Sequence, residues 1–379
     1  MPFGLTAPLS LLVLAQFLSA FADNALLFTL VAMVMQQQPA PGAWYVPALQ
    51  STFLLAFVLG APLAGYLSNH SPKKRILILA NLLKLGGASA LLLGLEPLFA
   101  YAIVGLGATL YSPAKYGILP EICRPSQLIT ANSWVEASPI LAILLGGIAG
   151  GMTADRSLPE ALTLINSLFL LSAITALFLP DTRRAEPERI ALGRALLQLL
   201  ALDQLRPTLI ALSLFWAVAA SLRMILMAWA PATLGLDSAG AIAGLTLFQA
   251  IGIILGSGFC SRCMQLERLG QVRITMLVIS VTLAVLTGVH SLSAARWDLL
   301  VMGSAAGLLL IPLNAQVQHQ GAATVGSGMA VAVQNLLQNL AMLLGVGSYT
   351  LAVSQGASSD MALMAVSFFM LLGAWRCKL

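Results

Sequence analysis

Charge is what this sequence has least of. Of its 379 residues, only 9% are Asp, Glu, Lys or Arg, while 59% are hydrophobic. Soluble domains carry about 25% charged and about 45–50% apolar residues. A shortage this deep leaves too little polar surface to hold the chain in water, so an ordinary soluble protein is excluded. The alternation of apolar and polar residues over about ten positions that marks a membrane β-barrel is missing too. Apolar runs such as Leu49–Leu67 and Ile274–Val289 are continuous instead. Histidine is scarce, with three residues, and so is cysteine, with four. His70, His290 and His319 show no His-x-x-x-x-Asp pairing, and no nucleophile elbow appears, which argues against a membrane-embedded acyltransferase. Cys260-x-x-Cys263 lacks a second pair or a neighbouring His and reads as a chance pair at a helix end. Cys123, Cys260, Cys263 and Cys377 all fall in or beside segments assigned below to the cytoplasm, which suggests reduced thiols. No metal site and no cofactor are expected. A basic leader is also lacking. The first apolar stretch, Leu9–Val34, is long and carries Asp23-Asn24 in its middle, so it reads as a first span and not as a cleavable signal.

What is present is a series of apolar segments of the right length. At about 20 residues per span, hydropathy and breaker residues predict twelve, at 8–34, 44–67, 76–94, 98–119, 128–150, 159–179, 207–232, 239–260, 274–291, 297–316, 326–354 and 359–375. Of the 19 basic residues, fourteen fall in loops on one side, and two, Arg156 and Arg296, on the other. By the positive-inside rule both termini and the long middle loop are cytoplasmic. The net charge of +5 is therefore a topology signal, and no nucleic-acid partner is expected. The chain reads as an all-α polytopic membrane protein with an N-terminal six-helix bundle (1–179), a cytoplasmic linker (180–206) and a C-terminal six-helix bundle (207–379). Apolar positions at helical spacing in Ile190–Leu205 predict a helix lying along the membrane surface.

The two halves echo each other. Span four ends with Ser112-Pro113-Ala114-Lys115, and span ten has Ile311-Pro312-Leu313-Asn314 at the matching depth. Span five carries Asn132 and Glu136 four residues apart; span eleven carries Asn335 and Asn339 at the same spacing. Asp23 in span one and Arg223 in span seven lie at similar depth. Such echoes are what a transporter built from parallel repeats shows. Glycines and prolines interrupt several spans. Pro113 and Gly117 flank Lys115, Pro139 follows Glu136, Gly146-Gly147 and Gly150-Gly151 continue span five, and Gly252, Gly256 and Gly258 thin one face of span eight. Close helix approach through small residues is the ordinary explanation; the sharper one is a seam between spans five and eight that opens sideways.

Five ionisable groups lie inside apolar spans: Asp23, Lys84, Lys115, Glu136 and Arg223. Each costs about 2.5–3.5 kcal/mol at a helix centre, so five facing lipid alone would oppose insertion by roughly 12–17 kcal/mol. They must pair, snorkel or line a wet cavity. Two readings stay open. In one, Asp23 pairs with Arg223 and Lys115 with Glu136 as structural glue. In the other, they line a polar cavity for a ligand that bears both charges. The buried amides favour the second: Asn24, Asn132, Asn335 and Asn339 join the charged residues as substrate-binding candidates, with Lys84, Asn314 and Gln334 as secondary ones and Gln249 and Gln338 nearby. Arg223 suits phosphate or carboxylate oxygens through two parallel hydrogen bonds, with Lys115 as a second cation. Asp23 and Glu136 can hold an ammonium or carry a proton. The proton-carrying case corresponds to a proton-coupled exporter of amphiphilic drugs. A non-transporting scaffold does not account for five costly charges.

Several stretches resemble bacterial lysophospholipid transporters of the major facilitator superfamily. Ala15-Gln16-Phe17-Leu18-Ser19-Ala20-Phe21-Ala22-Asp23-Asn24-Ala25-Leu26-Leu27 is similar to their first span, and the likeness continues in Tyr111-Ser112-Pro113-Ala114-Lys115-Tyr116-Gly117-Ile118-Leu119, Ala131-Asn132 and Glu136-Ala137-Ser138. It resumes in Ser213-Leu214-Phe215-Trp216, Leu222-Arg223, Ile311-Pro312-Leu313-Asn314-Ala315 and Val333-Gln334-Asn335-Leu336. The general superfamily pattern after span two departs here: Asn69 stands for its Asp and His70 for its Arg, while the basic Lys73-Lys74 is kept. The resemblance implies the major facilitator fold and a flippase that carries lysophosphatidylethanolamine and lysophosphatidylglycerol from the outer to the inner leaflet of the bacterial inner membrane. It also implies a functional partner, an acyltransferase–acyl-carrier-protein synthetase that reacylates the product, and a monomer among membrane lipid. Arg223 and Lys115 would then hold the phosphate, and Asp23 and Glu136 the ethanolamine ammonium. Reacylation removes the product, so facilitated movement is expected in preference to proton-driven transport.

Overall fold

The computed structural model describes residues 6–37, 42–123, 128–181, 191–263, 270–325 and 327–376. Within them the chain forms α1 (Ala7–Gln36), α2 (Tyr45–His70), α3 (Lys73–Leu92), α4 (Pro97–Gly117), the single turn α5 (Leu119–Ile122), α6 (Leu128–Arg156) and α7 (Leu158–Leu177). It continues with α8 (Leu192–Ala201), α9 (Leu205–Leu234), α10 (Ala239–Cys263), α11 (Gly270–Leu286), α12 (Leu292–Val325), α13 (Ser327–Ser354) and α14 (Ser359–Arg376). Nine helices among the described residues are long and apolar enough to cross a membrane. Helices suit that setting because each satisfies its own backbone hydrogen bonds where no water can.

The twelve predicted spans correspond in order to α1–α4, α6, α7 and α9–α14. The differences lie at the ends. The tenth span was expected at 297–316, yet α12 runs Leu292–Val325, because Gln, Ala and Val carry the helix on past the apolar core, with Gly321 tolerated inside it. The surface helix expected over Ile190–Leu205 stops at Ala201. Leu202 turns extended, with φ −78° and ψ 115°, before α9 begins at Leu205. Local signals set several other ends. The Glu96 carboxylate accepts from the Leu98 N–H at 2.9 Å and so caps α4, whose first residue is Pro97; a proline costs nothing there because its missing N–H would be unpaired anyway. Gly235 closes α9 with φ +65°, a left-handed conformation that suits glycine.

The chain forms two compact units. The first holds α1–α7, apart from the first residues of α2, together with the first turn of α10; the second holds α8, α9, the rest of α10 and α11–α14. In the first, α1 packs on α6, α7 and α4, and α3 packs on α4 and α7. In the second, α9 packs on α13, α14 and α12, and α11 packs on α12 and α14. These are the same partnerships, transposed by six spans, so the sequence echoes are a true structural repeat. Glycines set the closest approaches in each. A Cβ on Gly105 of α4 would lie 2.7 Å from the Phe53 carbonyl of α2. In the second unit, Gly252 and Gly256 of α10 lie against Leu300 and Ser304 of α12, and Gly303 and Gly307 return the contact onto Gln249 and Ile253. Gly146 and Gly150 of α6 lie against Phe21 and Ala25 of α1. The glycines of spans five and eight are therefore used mainly for packing inside their own units, the ordinary explanation. Gly258 lies outside the described side chains. Gly151 meets the backbone of Ala239 and Gly240, in the first turn of α10, also inside the first unit. Next to it, the Asp155 carboxylate accepts from the N–H of Ala239 at 3.1 Å and of Gly240 at 3.0 Å, capping the amino end of α10.

The linker helix α8 belongs to the second unit, where it buries Ala195 and Leu199 and packs on α9, α12 and α13. Leu197, 70% exposed, and Arg194 lie on its outer side.

Candidate functional site

In the first unit the site is built on one stripe of α1. Gln16, Ser19 and Asp23 recur at three- and four-residue spacing, which places them on one face of a helix. Lys84 of α3 reaches this stripe. Its Nζ donates to Asp23 Oδ2 at 2.6 Å and to Ser19 Oγ at 3.0 Å. The ring centroids of Tyr111, on α4, and Phe169, on α7, lie 5.3 Å and 5.8 Å from the same nitrogen, within cation–π range. The Lys84 stem passes α4 where Gly107 leaves room: a Cβ there would lie 2.6 Å from Lys84 Cγ. Lys84 is 2% exposed and the Asp23 side chain 18%. One carboxylate oxygen is thus fixed by Lys84, while Asp23 Oδ1 is buried with no hydrogen-bond partner among the described residues.

The sequence left Asp23 between an Arg223 partner and a ligand. The structure places Lys84 on it. Ser19 was not singled out; its signal is its position four residues before Asp23, on the same face. Lys115 acts electrostatically on Asp23, and its Nζ lies 4.6 Å from the Tyr116 ring centroid. Asn24 turns back to its own helix, donating to the Ala20 carbonyl at 2.8 Å. Asn132 and Glu136 sit on α6, but their side chains lie outside the described residues.

Around this cluster, side chains clamp α1 to its neighbours. Gln16 Nε2 donates to the Val135 carbonyl at 2.6 Å, and Ser172 Oγ to the Ala15 carbonyl at 2.7 Å. At the mouth of the same helices, Lys73 pairs with Glu121 at 2.9 Å and Lys74 with Asp181 at 3.6 Å. The basic end of the loop after α2 therefore ties α3 to α5 and to the end of the first unit, beyond any role in topology. The side chains of Asn69 and His70 lie outside the described residues.

The second unit holds the remaining candidates. Arg223 is half-buried on α9. Gln334 of α13 donates to Asn314 Oδ1 of α12 at 2.8 Å, joining two secondary candidates. Asn339 donates to the Asn335 carbonyl at 2.7 Å. Gln338 Nε2 is buried with no partner among the described residues, a donor that the sequence placed only as a neighbour. Where span four has the cation Lys115, span ten has the amide Asn314, so the charged cluster is a feature of the first repeat.

The arrangement sets a carboxylate, cations and amides along apolar helices, groups that can hold a charged or hydrogen-bonding ligand. Residues 12–346 match the Major Facilitator Superfamily. A protein of Serratia proteamaculans named lysophospholipid transporter is 39% identical over 347 residues, 89% of this chain and 87% of that protein. A protein of Salmonella typhimurium with the same name is 38% identical over 352 residues, 91% of this chain and 88% of its own length. Among solved structures, a POT family transporter in complex with 5-aminolevulinic acid superposes with a TM-score of 0.81 at 12% identity, covering 99% of this chain and 96% of that one. The human organic anion transporter MFSD10 superposes with a TM-score of 0.71 at 16% identity, covering 98% and 99%. These last two show the fold alone, whereas the superfamily match and the bacterial relatives span nearly the whole chain: it belongs to the lysophospholipid transporter family of the major facilitator superfamily.

Proposed function

We propose that this multi-pass membrane protein is a flippase for lysophospholipids, moving lysophosphatidylethanolamine and lysophosphatidylglycerol from the outer to the inner leaflet of a bacterial inner membrane. The observation that carries this reading is the match, over about nine-tenths of the chain, to relatives named for lysophospholipid transport. The buried charges support it, because Asp23, Lys84, Lys115 and Arg223 give apolar helices the polar groups that a charged head group can meet. In this reading Arg223 and Lys115 grip the phosphate through charge-assisted hydrogen bonds. The amides of Asn24, Asn132, Asn314, Gln334, Asn335 and Asn339 serve the rest of the head group, while Asp23 and Glu136 face its ammonium. The single acyl tail stays among apolar side chains. Both termini lie in the cytoplasm, the protein works as a monomer, and an acyltransferase–acyl-carrier-protein synthetase consumes the product, so movement runs downhill without a proton gradient.

Uptake of labelled lysophosphatidylethanolamine into spheroplasts, for the native chain and Arg223→Ala, with and without a protonophore, tests the reading. Uptake that depends on Arg223 and survives the protonophore supports it. Uptake that collapses with the proton gradient moves Asp23 and Glu136 to proton carriage and revives the proton-coupled exporter.

A further inference from the structure

Every side of the Lys84 ammonium is already occupied. Asp23 and Ser19 take its hydrogen bonds at 2.6 and 3.0 Å, the Tyr111 and Phe169 rings flank it, and its stem fills the space that Gly107 leaves. At 2% exposure it has no face to offer a ligand. Asp23 is the more exposed member of the pair at 18%, with its other oxygen, Oδ1, buried. A lone carboxylate at that position would attract an ammonium and repel a head group whose charge is only negative. Bound to Lys84, the carboxylate is half of a neutral pair.

We infer that Lys84 is a positioning and charge-balancing residue, not a head-group ligand: it fixes one oxygen of Asp23 and cancels its charge, so that zwitterionic and anionic head groups pass on similar terms. This rests on the flippase reading and specifies how its charged cluster sets selectivity. Neutralising Lys84 removes the cation in contact with Asp23 and leaves the weaker field of Lys115, which favours an ammonium-bearing head group and penalises one that carries only hydroxyls and the phosphate. Ser19 holds the ammonium in place and contributes no charge.

The test uses the full chain reconstituted in vesicles, with kcat/KM measured for lysophosphatidylethanolamine and for lysophosphatidylglycerol. Lys84→Met keeps the stem and removes the charge, and its ratio of ethanolamine to glycerol substrate should rise about tenfold, the scale of one charge-assisted hydrogen bond. A purely structural role would lower both substrates by the same factor, and that result overturns the inference. Should Lys84→Met not fold, Lys84→Gln, which removes the charge but can still donate to Asp23 and Ser19, carries the same expectation: a rise of about tenfold in the ratio supports the inference, and an equal loss for both lipids contradicts it. Native protein that moves neither lipid would instead sink the flippase reading, so the two failures are distinguishable.

Discussion

Gln16 and Val135 meet where Pro139 interrupts α6. Proline has no N–H, so the carbonyl four residues before it, that of Val135, loses its intrahelical donor; Gln16 Nε2 supplies one from α1 at 2.6 Å. A residue that looks like an isolated polar intrusion in an apolar span is the hydrogen-bond partner of a helix break in another. Gln16→Leu leaves a buried carbonyl unsatisfied, and we expect a loss of about 1–3 kcal/mol, read as a lower thermal unfolding midpoint in detergent. An unchanged midpoint would mean that α6 satisfies Val135 in some other way.

Gly107 and Gly86 make a matched pair of substitutions. A Cβ at Gly107 would lie 2.6 Å from Lys84 Cγ and 2.7 Å from the Ala80 carbonyl, whereas one at Gly86 meets nothing within 4 Å. Gly107→Ala should destabilise by about 1–3 kcal/mol through overpacking. Gly86→Ala should be neutral or gain up to about 1 kcal/mol through the helix preference of alanine. Thermal midpoints of the two variants side by side check the contrast.

Asp155 caps the amino end of α10 with both carboxylate oxygens, a position where a negative charge also meets the positive end of the helix. Asp155→Ala should cost about 1 kcal/mol, and Asp155→Asn less, since an amide oxygen still accepts one hydrogen bond. Faster hydrogen exchange at the first amides of α10 in the alanine variant would locate the effect.

Cys123 lies after α5, buried, and burial pushes its thiol above the ordinary value. Only the thiolate attacks alkylating reagents, so at neutral pH a variant that retains Cys123 alone should label slowly when folded and readily when unfolded. The folded-state rate should climb only as pH rises beyond the ordinary thiol range. Rapid labelling of the folded protein at pH 7 would contradict the burial.

Much of this architecture is written in single residues. The twelve apolar runs, the Pro113 and Pro312 echo, and Asp23 as an expensive buried charge follow from hydropathy and spacing. Which residues pair does not. Asp23 had cations on three other spans to choose from, and the choice of Lys84 depends on helix rotation and on the room left by Gly107, neither of which spacing encodes. The one-turn α5 is too short for periodicity to mark, yet it carries Glu121, the partner of Lys73. The repeat was suggested by motifs and is carried by packing, since the same helix partnerships recur in both units although their polar residues differ.

The most direct test of the account is lipid movement by the purified protein alone. Vesicles that hold the reconstituted chain, loaded on the outer leaflet with fluorescent lysophosphatidylethanolamine and no ion gradient, should transfer the lipid inward faster than empty vesicles, with little effect on the diacyl lipid. A rate equal to that of empty vesicles, or one that appears only under an imposed proton gradient, would contradict a downhill lysophospholipid flippase.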